Sequence, residues 1–511
     1  MTGQEKGQPI VPNGKPKNSE RRLTLLVALT AFWFFLIVNH GHFIGSDEVA
    51  VFYMTQSIVE TGNLAVPAMQ HTAVGPDGRR YSFFTAGQSF LAAPLYALGQ
   101  ASERWLPPWW QRAVRGPDRG YGPYVFGGTL EIAFVSLYSS LASALLIALF
   151  FRFERRLGVS RRNALIVAGL LASCTYVLLL STYFLRHAAE AAALLGAFYF
   201  FFLYKETGSP WNLVFGSGLA SLAFLLRVPA GLVAPALALY VAYILFLRSD
   251  RGRNIGVLLG GAVAVLVPLA IAIALHAAMN EAKWGTLIGS PMVAQYSRLK
   301  NPIYIGLAGF LISPGASVFV YTPLLLLLPF TLPPFFESHK AECVTFAGLS
   351  LFLLLVYSTF DGWEGLWSAP GPRYLSLLTP LLMLPVGGWL DRGGGALRWS
   401  FVAALGAAGL FVQVVSTVVS WGVVPAFANY RDFVPRWSFL FIPQFSPVAE
   451  MTRLFFDGGP YDPWLIQLGE GWAGFPGQPG LAWGLFAGWG LILAVGLVWI
   501  GRESLRLKAT D

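Results

Sequence analysis

The sequence predicts an all-α polytopic membrane protein with about 12 transmembrane helices. Of its 511 residues, 55% are hydrophobic and 12% are charged, which is roughly half the charged fraction of an average soluble protein. Apolar runs close to bilayer-spanning length recur from Leu23 to Ile500. These runs are continuously apolar, whereas the strands of a membrane β-barrel alternate every second residue. The composition therefore excludes both a globular enzyme of the aqueous phase and a β-barrel.

The predicted spans follow a polar N-terminal segment. Residues 1–22 are rich in Gly, Pro and Lys and are predicted to form a disordered cytoplasmic tail. The apolar run after this tail is too long for the core of a cleavable signal peptide. We place the spans at approximately residues 23–43, 127–151, 163–183, 187–204, 211–226, 229–247, 254–278, 316–335, 342–359, 375–390, 399–422 and 482–500.

The distribution of Lys and Arg sets the predicted orientation. These residues are concentrated in the short loops on the side of the N-terminus, for example at 152–162, as the positive-inside rule requires of cytoplasmic loops. We therefore expect a multi-pass protein of the plasma (inner) membrane with both termini in the cytoplasm. The same bias accounts for the net charge of +9. The charge distribution therefore predicts membrane lipids and no nucleic acid as partners.

The loops predicted on the outer face are much longer than the cytoplasmic ones. Long loops in a compact protein are usually functional, so we expect the active site on the extracytoplasmic side. An N-terminal module, 23–340, is predicted to carry the catalytic loop, and a C-terminal module, 341–511, to add two further loops. The long outer segments are 45–126, 280–315, 360–373 and 422–482.

The first outer loop is expected to contain interfacial helices. Ser46 is a suitable N-cap for a helix over 47–61, which Gly62 can end. The stretch 83–106 is apolar enough either to lie in the membrane interface or to form a thirteenth span.

Two adjacent carboxylates, Asp47 and Glu48, follow the first span. Acidic residues in the first turn of a helix are stabilised by the helix dipole, so they could simply begin an interfacial helix. Charged groups this close to a membrane are often functional, however. Because neighbouring helical residues point about 100° apart, we expect only one of the two to face a cavity.

Further ionisable residues mark the outer ends of other predicted spans. His187 and Glu190 are three residues apart and therefore share a helix face, where they could serve one metal ion, one proton-transfer site, or merely a solvated helix end. Arg227 precedes Pro229 at a predicted break between spans. This arginine could extend to the lipid headgroups or bind a phosphate.

The loop 360–374 combines aromatic residues with a turn and an arginine. Arg373 follows a Gly-Pro pair and precedes Tyr374, and arginine is suited to bidentate contacts with phosphate. Trp363 and Trp367 could stack on a sugar or anchor the loop at the membrane interface.

Signatures of soluble nucleotide-dependent enzymes are missing from the sequence, including the GxxxxGK[ST] phosphate loop and the GxGxxG fingerprint. A twelve-span secondary transporter is the alternative of another class. Such a transporter is expected to carry charges at mid-membrane and internal repeats, whereas most ionisable groups here lie at predicted span ends. A non-catalytic protein that binds or flips lipid-linked sugars is a third reading.

The sequence resembles the GT-C class of integral-membrane glycosyltransferases, specifically bacterial members similar to protein O-mannosyltransferases and the lipid A aminoarabinose transferase. The resemblance rests on six motifs that occur in the same order along the chain. They are GSDEVAVFY at 45–53, SIVETGNL at 57–64, the aromatic stretch 81–84 with GQSFLAAPLY at 87–96, RHAAE at 186–190, SPG at 313–315 and GPRYL at 371–375.

This resemblance implies transfer of a sugar from a polyprenyl phosphate to an acceptor (a cell-envelope glycan, lipid or protein) on the extracytoplasmic face. It implies a general base at Asp47, with Glu48 as second choice, and basic residues that bind the donor phosphate. The remaining roles that it implies are phosphate binding by Arg373 and Arg227 and support of the site by His187, Glu190, Tyr374, Trp363 and Trp367.

Metal dependence is left open by the resemblance. The second acidic position, which chelates a metal in the aminoarabinose transferase, has no counterpart in 87–96, where Gln88 is the nearest polar residue. A divalent metal therefore remains a possible cofactor of unknown identity.

Overall fold

The computed structural model describes residues 18–115, 127–289, 299–365, 369–393, 395–421, 436–472 and 475–508. The chain in these ranges is predominantly helical, with two short antiparallel hairpins. The helices are α1 (Asn18–Ile37), α2 (Ser46–Thr61), α3 (Gly87–Ser102), α4 (Pro108–Arg115), α5 (Leu130–Arg156), α6 (Arg161–Ser173), α7 (Val177–Leu180), α8 (His187–Thr207), α9 (Pro210–Leu226), α10 (Ala234–Arg248), α11 (Ile255–Trp284), α12 (Ile303–Ile312), α13 (Val318–Tyr321), α14 (Leu328–Ser338), α15 (Lys340–Ser358), α16 (Thr379–Asp391), α17 (Ala396–Val418), α18 (Arg436–Phe441), α19 (Pro447–Phe456), α20 (Trp464–Glu470) and α21 (Pro479–Lys508).

The strands and 3₁₀ turns lie between these helices. In the first hairpin, Thr72 pairs with Ser82 and Val74 with Arg80. The strands are β1 (Thr72–Val74), β2 (Arg80–Ser82), β3 (Gly471–Trp472) and β4 (Phe475–Pro476), and the 3₁₀ turns are Val228–Val233, Pro323–Leu327, Arg373–Leu378 and Pro443–Phe445.

The predicted all-α membrane fold is confirmed. Every one of the predicted spans overlaps a helix of the structure. Within the described ranges, 7 helices are long and apolar enough to cross a membrane, and three apolar helices are shorter. The seven are Leu130–Arg156, His187–Thr207, Val228–Arg248, Ile255–Trp284, Lys340–Ser358, Ala396–Val418 and Pro479–Arg506.

The third predicted span, 163–183, is not one continuous helix. The structure ends α6 at Ser173 and begins the one-turn helix α7 at Val177. The break is held by the Tyr176 backbone N–H, which donates to Thr322 Oγ1 at 3.3 Å, and by the Tyr176 hydroxyl, which donates to the carbonyl oxygen of Pro370. These partners are far away in sequence, so hydropathy alone does not reveal the break.

The first loop, which is predicted on the outer face, folds as helices and a hairpin. The predicted helix over 47–61 is α2, and Gly62 ends it in a left-handed conformation with φ 66°. The stretch 83–106 contains α3, whose 16 residues would extend only about 24 Å, less than the roughly 30 Å of a hydrocarbon core. Of the two alternatives, the structure therefore favours the non-spanning one.

The hydrophobic core is continuous across the predicted module boundary. One cluster of buried apolar residues runs from Leu23 in α1 to Leu454 in α19. The boundary at residue 340 coincides with the start of α15 and remains a prediction. A smaller cluster, which includes Phe43, Phe52 and Phe184, fixes α2 and α3 against the start of α8.

Candidate functional site

The ends of several helices that are distant in sequence meet at one end of the bundle. The start of α2 supplies Asp47, the start of α8 supplies His187 and Glu190, the residue after α9 is Arg227, and the 3₁₀ turn before α16 begins with Arg373. All five side chains are buried. We call them, together with His71 and Tyr374, the charged cluster.

Asp47 is held between a histidine and an arginine. Its Oδ1 lies 3.4 Å from His71 Nε2, and its Oδ2 lies 3.7 Å from Arg373 Nη1. The carboxylate is 11% exposed and the imidazole 25% exposed, so this is the part of the cluster that water reaches. A carboxylate with such access to water can accept a proton from a bound hydroxyl group.

Glu48 is used differently, although it is the next residue. Its Oε2 accepts hydrogen bonds from the backbone N–H groups of Ile44 and Gly45, both at 2.8 Å, and its Oε1 accepts one from the N–H of Phe184. The N-cap of α2 is Gly45 instead of the predicted Ser46, and the glutamate completes the cap. Burial raises the pKa of Glu48 to about 7, against the opposing effect of these backbone hydrogen bonds.

Glu190 connects a histidine and an arginine on the other side of the cluster. Its Oε2 lies 3.5 Å from His187 Nδ1, and its Oε1 lies 3.5 Å from Arg227 Nη1. The carboxylate is 1% exposed. The i, i+3 spacing thus brings the two residues of α8 together, as predicted, and adds Arg227 as a third member.

Tyr374 contacts both of the arginines that the sequence singles out. The guanidinium carbon of Arg227 lies 5.0 Å from the centre of its ring, and that of Arg373 lies 5.3 Å away. The ring stacks on Tyr357 with centres 5.4 Å apart. Two buried cations are therefore held around one aromatic side chain, in contact with its electron-rich face.

The turn before Arg373 depends on glycine. Gly371 has φ 90°, a conformation that other residues adopt only under strain. A Cβ atom at this position would lie 2.6 Å from Tyr176 and 2.9 Å from Tyr321. The Gly-Pro pair therefore fixes the backbone on which Arg373 enters the cluster.

Several polar atoms of the cluster lack hydrogen-bond partners within the described part of the chain. Buried polar groups are normally hydrogen-bonded, so each exception calls for an explanation such as a missing ligand. The atoms are Arg373 Nε and Nη1, Arg227 Nη1, Glu190 Oε1 and Oε2, and His187 Nδ1.

Of the two tryptophans predicted at the site, the structure describes Trp363. Trp363 is fully buried, and its ring packs edge-on against Phe310 with centres 5.0 Å apart. A Cβ atom on Gly309 would overlap the same indole. Trp363 is therefore packed in the core of this structure, and its role as a sugar-stacking or interfacial residue stays a prediction. Trp367 lies outside the described residues.

Sequence reasoning missed His71 and Lys283. His71 comes from the turn before β1, and its carbonyl oxygen accepts a hydrogen bond from the N–H of Phe83 at 2.8 Å. Lys283, at the end of α11, donates to the carbonyl oxygen of Phe84 at 2.8 Å, and the Phe84 ring lies 4.5 Å from the guanidinium of Arg186. Lys283 lies close to the end of the predicted span 254–278, whereas nothing in the sequence of the loop 45–126 points to His71.

A second buried contact between a histidine and a carboxylate was also missed by the sequence analysis. His42 Nε2 lies 3.4 Å from Asp462 Oδ1, and His42 Nδ1 lies 2.8 Å from the carbonyl oxygen of His40. This contact joins the segment after α1 to the late outer segment 422–482. Burial tends to raise the pKa of Asp462, but the hydrogen bond from His42 and the nearby imidazoles lower it overall.

A metal site is not assembled by the residues that the structure describes. Among them, no group of three or more His, Cys, Asp or Glu side chains could hold a metal ion. Gln88, the nearest polar residue at the position discussed above, donates from Nε2 to the carbonyl oxygen of Phe184 at 3.0 Å. Metal dependence therefore stays open.

No family model and no curated protein matches the chain. Solved structures do resemble it. Two crystal structures of ArnT, the lipid A aminoarabinose transferase, from Cupriavidus metallidurans are each 14% identical, covering 96% of this chain and 78% of that one. The TM-scores are 0.48 for the apo state and 0.44 for the form bound to undecaprenyl phosphate.

The archaeal oligosaccharyltransferase AglB from Archaeoglobus fulgidus, in complex with an inhibitory peptide and a dolichol-phosphate, is 13% identical, with a TM-score of 0.45. The match covers 78% of this chain and 56% of AglB. Both proteins are GT-C glycosyltransferases, the class that the sequence resembles. At this level of identity such a similarity concerns the fold alone, so the function has to be inferred from the side chains of the site.

Proposed function

We propose that this protein is a glycosyltransferase that moves a sugar from a polyprenyl-phosphate donor to an acceptor on the extracytoplasmic face of the plasma membrane. The observation that carries the proposal is the pair of buried arginines, Arg227 and Arg373, that both contact the ring of Tyr374. Both present guanidinium N–H groups without hydrogen-bond partners in the described chain. Asp47 lies beside one of them.

A phosphate group can accept the hydrogen bonds that these guanidinium N–H groups do not make within the described chain. Burying a guanidinium without a hydrogen-bonded partner is unfavourable, and phosphate oxygens are the acceptors that its planar N–H groups match best. During sugar transfer, negative charge builds up on the leaving phosphate, and two fixed cations stabilise it. Arg373 and Arg227 are therefore assigned to the donor phosphate, with Tyr374 in contact with both.

Asp47 is assigned as the general base. Its position next to Arg373 would bring an acceptor hydroxyl close to the sugar attached to the bound phosphate. The carboxylate then accepts the hydroxyl proton while the oxygen attacks the anomeric carbon and the bond to the phosphate oxygen breaks. Glu48 has both carboxylate oxygens on backbone N–H groups, so we assign it to holding the start of α2.

His187 and Glu190 are assigned to the support of Arg227. The contact between Glu190 and Arg227 keeps the guanidinium at the site before the donor binds, and His187 lies against the same carboxylate. The predicted orientation, with both termini in the cytoplasm, would place this end of the bundle outside, where the acceptor is expected.

The proposal is tested by native mass spectrometry of the purified protein with undecaprenyl phosphate. We expect the wild type to retain this lipid in preference to ordinary phospholipids, and Arg373→Ala to retain much less of it. Arg392→Ala is the matched control, because Arg392 is an exposed arginine that pairs with Glu337 at the opposite end of the bundle.

Equal retention by Arg373→Ala and the control would contradict the phosphate assignment. Failure of the wild type to retain the lipid above phosphatidylglycerol would contradict the donor class as a whole. It would favour the transporter interpretation instead.

A further inference from the structure

One side chain of the charged cluster has no role in the proposed chemistry, although it contacts the assigned base. His71 lies 3.4 Å from Asp47 Oδ1, whereas Arg373 lies nearest to the other carboxylate oxygen, Oδ2. It is one of three non-glycine residues with positive φ in the described chain, at 60°. Such a conformation is unusual for a residue with a side chain and is often retained for a functional reason.

The hairpin holds this conformation in place. The carbonyl oxygen of His71 accepts the hydrogen bond from Phe83 at 2.8 Å, one step beyond the pairing of Thr72 with Ser82. The imidazole packs against the Phe84 ring with centres 5.6 Å apart. The backbone and the ring are thus both fixed, so that Nε2 is directed at Asp47.

The contact between Asp47 and Arg373 is unusually loose for a buried pair. Carboxylate and guanidinium groups left alone form bidentate hydrogen bonds at about 2.7–2.9 Å. Here the closest approach is 3.7 Å, and Arg373 Nη1 and Nε form no hydrogen bond within the described residues. His71 contacts the other carboxylate oxygen of Asp47 at 3.4 Å, where it can hold the carboxylate back from the guanidinium.

We propose that His71 is a positioning residue that draws Asp47 away from Arg373, so that the guanidinium stays available to an anionic ligand. The inference rests on the proposed function, since the ligand is the donor phosphate. Arg186 is a further charged group near Asp47. It contacts Phe84 through its guanidinium face. Without His71, Asp47 closes on Arg373 and competes with the phosphate for the same N–H groups.

The test compares retention of undecaprenyl phosphate by three variants. His71→Asn keeps a residue that tolerates positive φ, but its side chain is too short to reach Asp47. We expect retention to fall by roughly tenfold, the value of about one charge-assisted hydrogen bond. His71→Gln carries an N–H as many bonds from Cβ as histidine Nε2, and should restore retention in part.

The decisive variant is the double substitution His71→Asn with Asp47→Asn. Removal of the competing charge should return lipid retention to the wild-type level or above it. If the double variant stays as low as His71→Asn, the histidine acts through the fold or through a contact of its own, and the inference is wrong. Unchanged retention in His71→Asn would overturn it equally.

A structure of His71→Asn by cryo-electron microscopy tests the inference without the lipid. We expect the distance between Asp47 and Arg373 to contract from 3.7 Å to hydrogen-bonding distance, and an unchanged distance would contradict the inference. The failures can be told apart. If the wild type retains no lipid but the contraction occurs, the proposed function fails while the positioning role of His71 stands.

Discussion

The two ends of the helical bundle use the same types of charged residue in different ways. At the end opposite the charged cluster, Lys205 contacts Glu342 at 2.7 Å and Arg392 contacts Glu337 at 2.9 Å. In the charged cluster, the corresponding distances are 3.4–3.7 Å. Short contacts hold helices together, whereas the longer ones leave donors and acceptors open to a third group. For these pairs the difference supports the proposal that the charged cluster binds a ligand, although one contact at the opposite end, between Arg156 and Glu206, is also long at 3.6 Å.

The Lys205–Glu342 pair at the opposite end shows a buried carboxylate with two short contacts on one oxygen, Oε1, while its Oε2 has no hydrogen-bond partner in the described chain. Glu342 is fully buried, and its Oε1 accepts from both Lys205 Nζ and the Tyr240 hydroxyl, the latter at 2.6 Å. These contacts connect α8, α10 and α15. Glu190, a buried carboxylate of the charged cluster, lies 3.5 Å from each of its ion-pair partners in the described chain, His187 and Arg227.

The largest expected effect is on catalysis. Asp47→Asn removes the base and should reduce sugar transfer by about 10²–10⁴-fold, the usual contribution of a general base. Retention of the lipid should not fall, because the change also removes a competitor for Arg373. The measurement is turnover of an undecaprenyl-phosphate-linked sugar by purified enzyme in the presence of cell-envelope extract as acceptor. Activity near that of the wild type would exclude Asp47 as the base.

The second prediction concerns stability at the opposite end. Glu342→Gln leaves Lys205 without its charged partner and should lower the free energy of unfolding by about 2 kcal/mol, less than for a fully buried pair because the lysine reaches water. Thermal unfolding in detergent measures this loss. Lipid retention, corrected for folded protein, should be unchanged. If Glu342→Gln weakened retention as strongly as Arg373→Ala, the distinction between the two ends would be lost.

The third prediction is that the stability of the fold depends on pH through the titration of Glu48. Its pKa is raised by burial to about 7, above the value in an unfolded chain. Its contribution to stability is therefore fully present below about pH 4.5 and is lost as the pH rises through 7. Wild-type stability should fall by about 2 kcal/mol between pH 5 and pH 8, relative to Glu48→Gln. Parallel unfolding profiles of the two proteins would show that Glu48 does not titrate in this way.

The smallest effect is expected from a conservative change in the charged cluster. Arg373→Lys keeps the charge but loses the planar donor geometry, so lipid retention should fall by about tenfold. Arg392→Lys, at the opposite end, is the matched control and should leave retention unchanged. Equal behaviour of the two variants would mean that Arg373 supplies only charge to the site.

Much of the fold could be predicted from the sequence, because hydropathy reports directly on spans. The loop assignments follow from this, and they place Asp47, Glu190, Arg227 and Arg373 at one end of the molecule, where the structure also has them. Hydropathy does not report on breaks within buried helices. The turn at Tyr176 depends on partners more than a hundred residues away, and so the third span was predicted as one helix.

The site was harder to predict where side chains with similar chemistry occupy different environments. Trp363 lies in the hydrophobic core, yet a buried tryptophan and an interfacial one look alike in sequence. His71 is brought to Asp47 by a hairpin and a positive φ, and neither leaves a clear signal in an exposed loop. Glu48 and Asp47 are adjacent acidic residues in the sequence. The structure shows that Glu48 accepts hydrogen bonds from backbone N–H groups, whereas Asp47 contacts His71 and Arg373.

The account depends above all on the charged cluster being a lipid-phosphate site. The most direct test is a structure of the wild-type protein with undecaprenyl phosphate, determined by cryo-electron microscopy in lipid nanodiscs. We predict that the phosphate lies within hydrogen-bonding distance of Arg373 Nη1 and Arg227 Nη1, atoms that otherwise lack hydrogen-bond partners in the described chain. A phosphate bound elsewhere, with both guanidinium groups unmoved, would contradict the account.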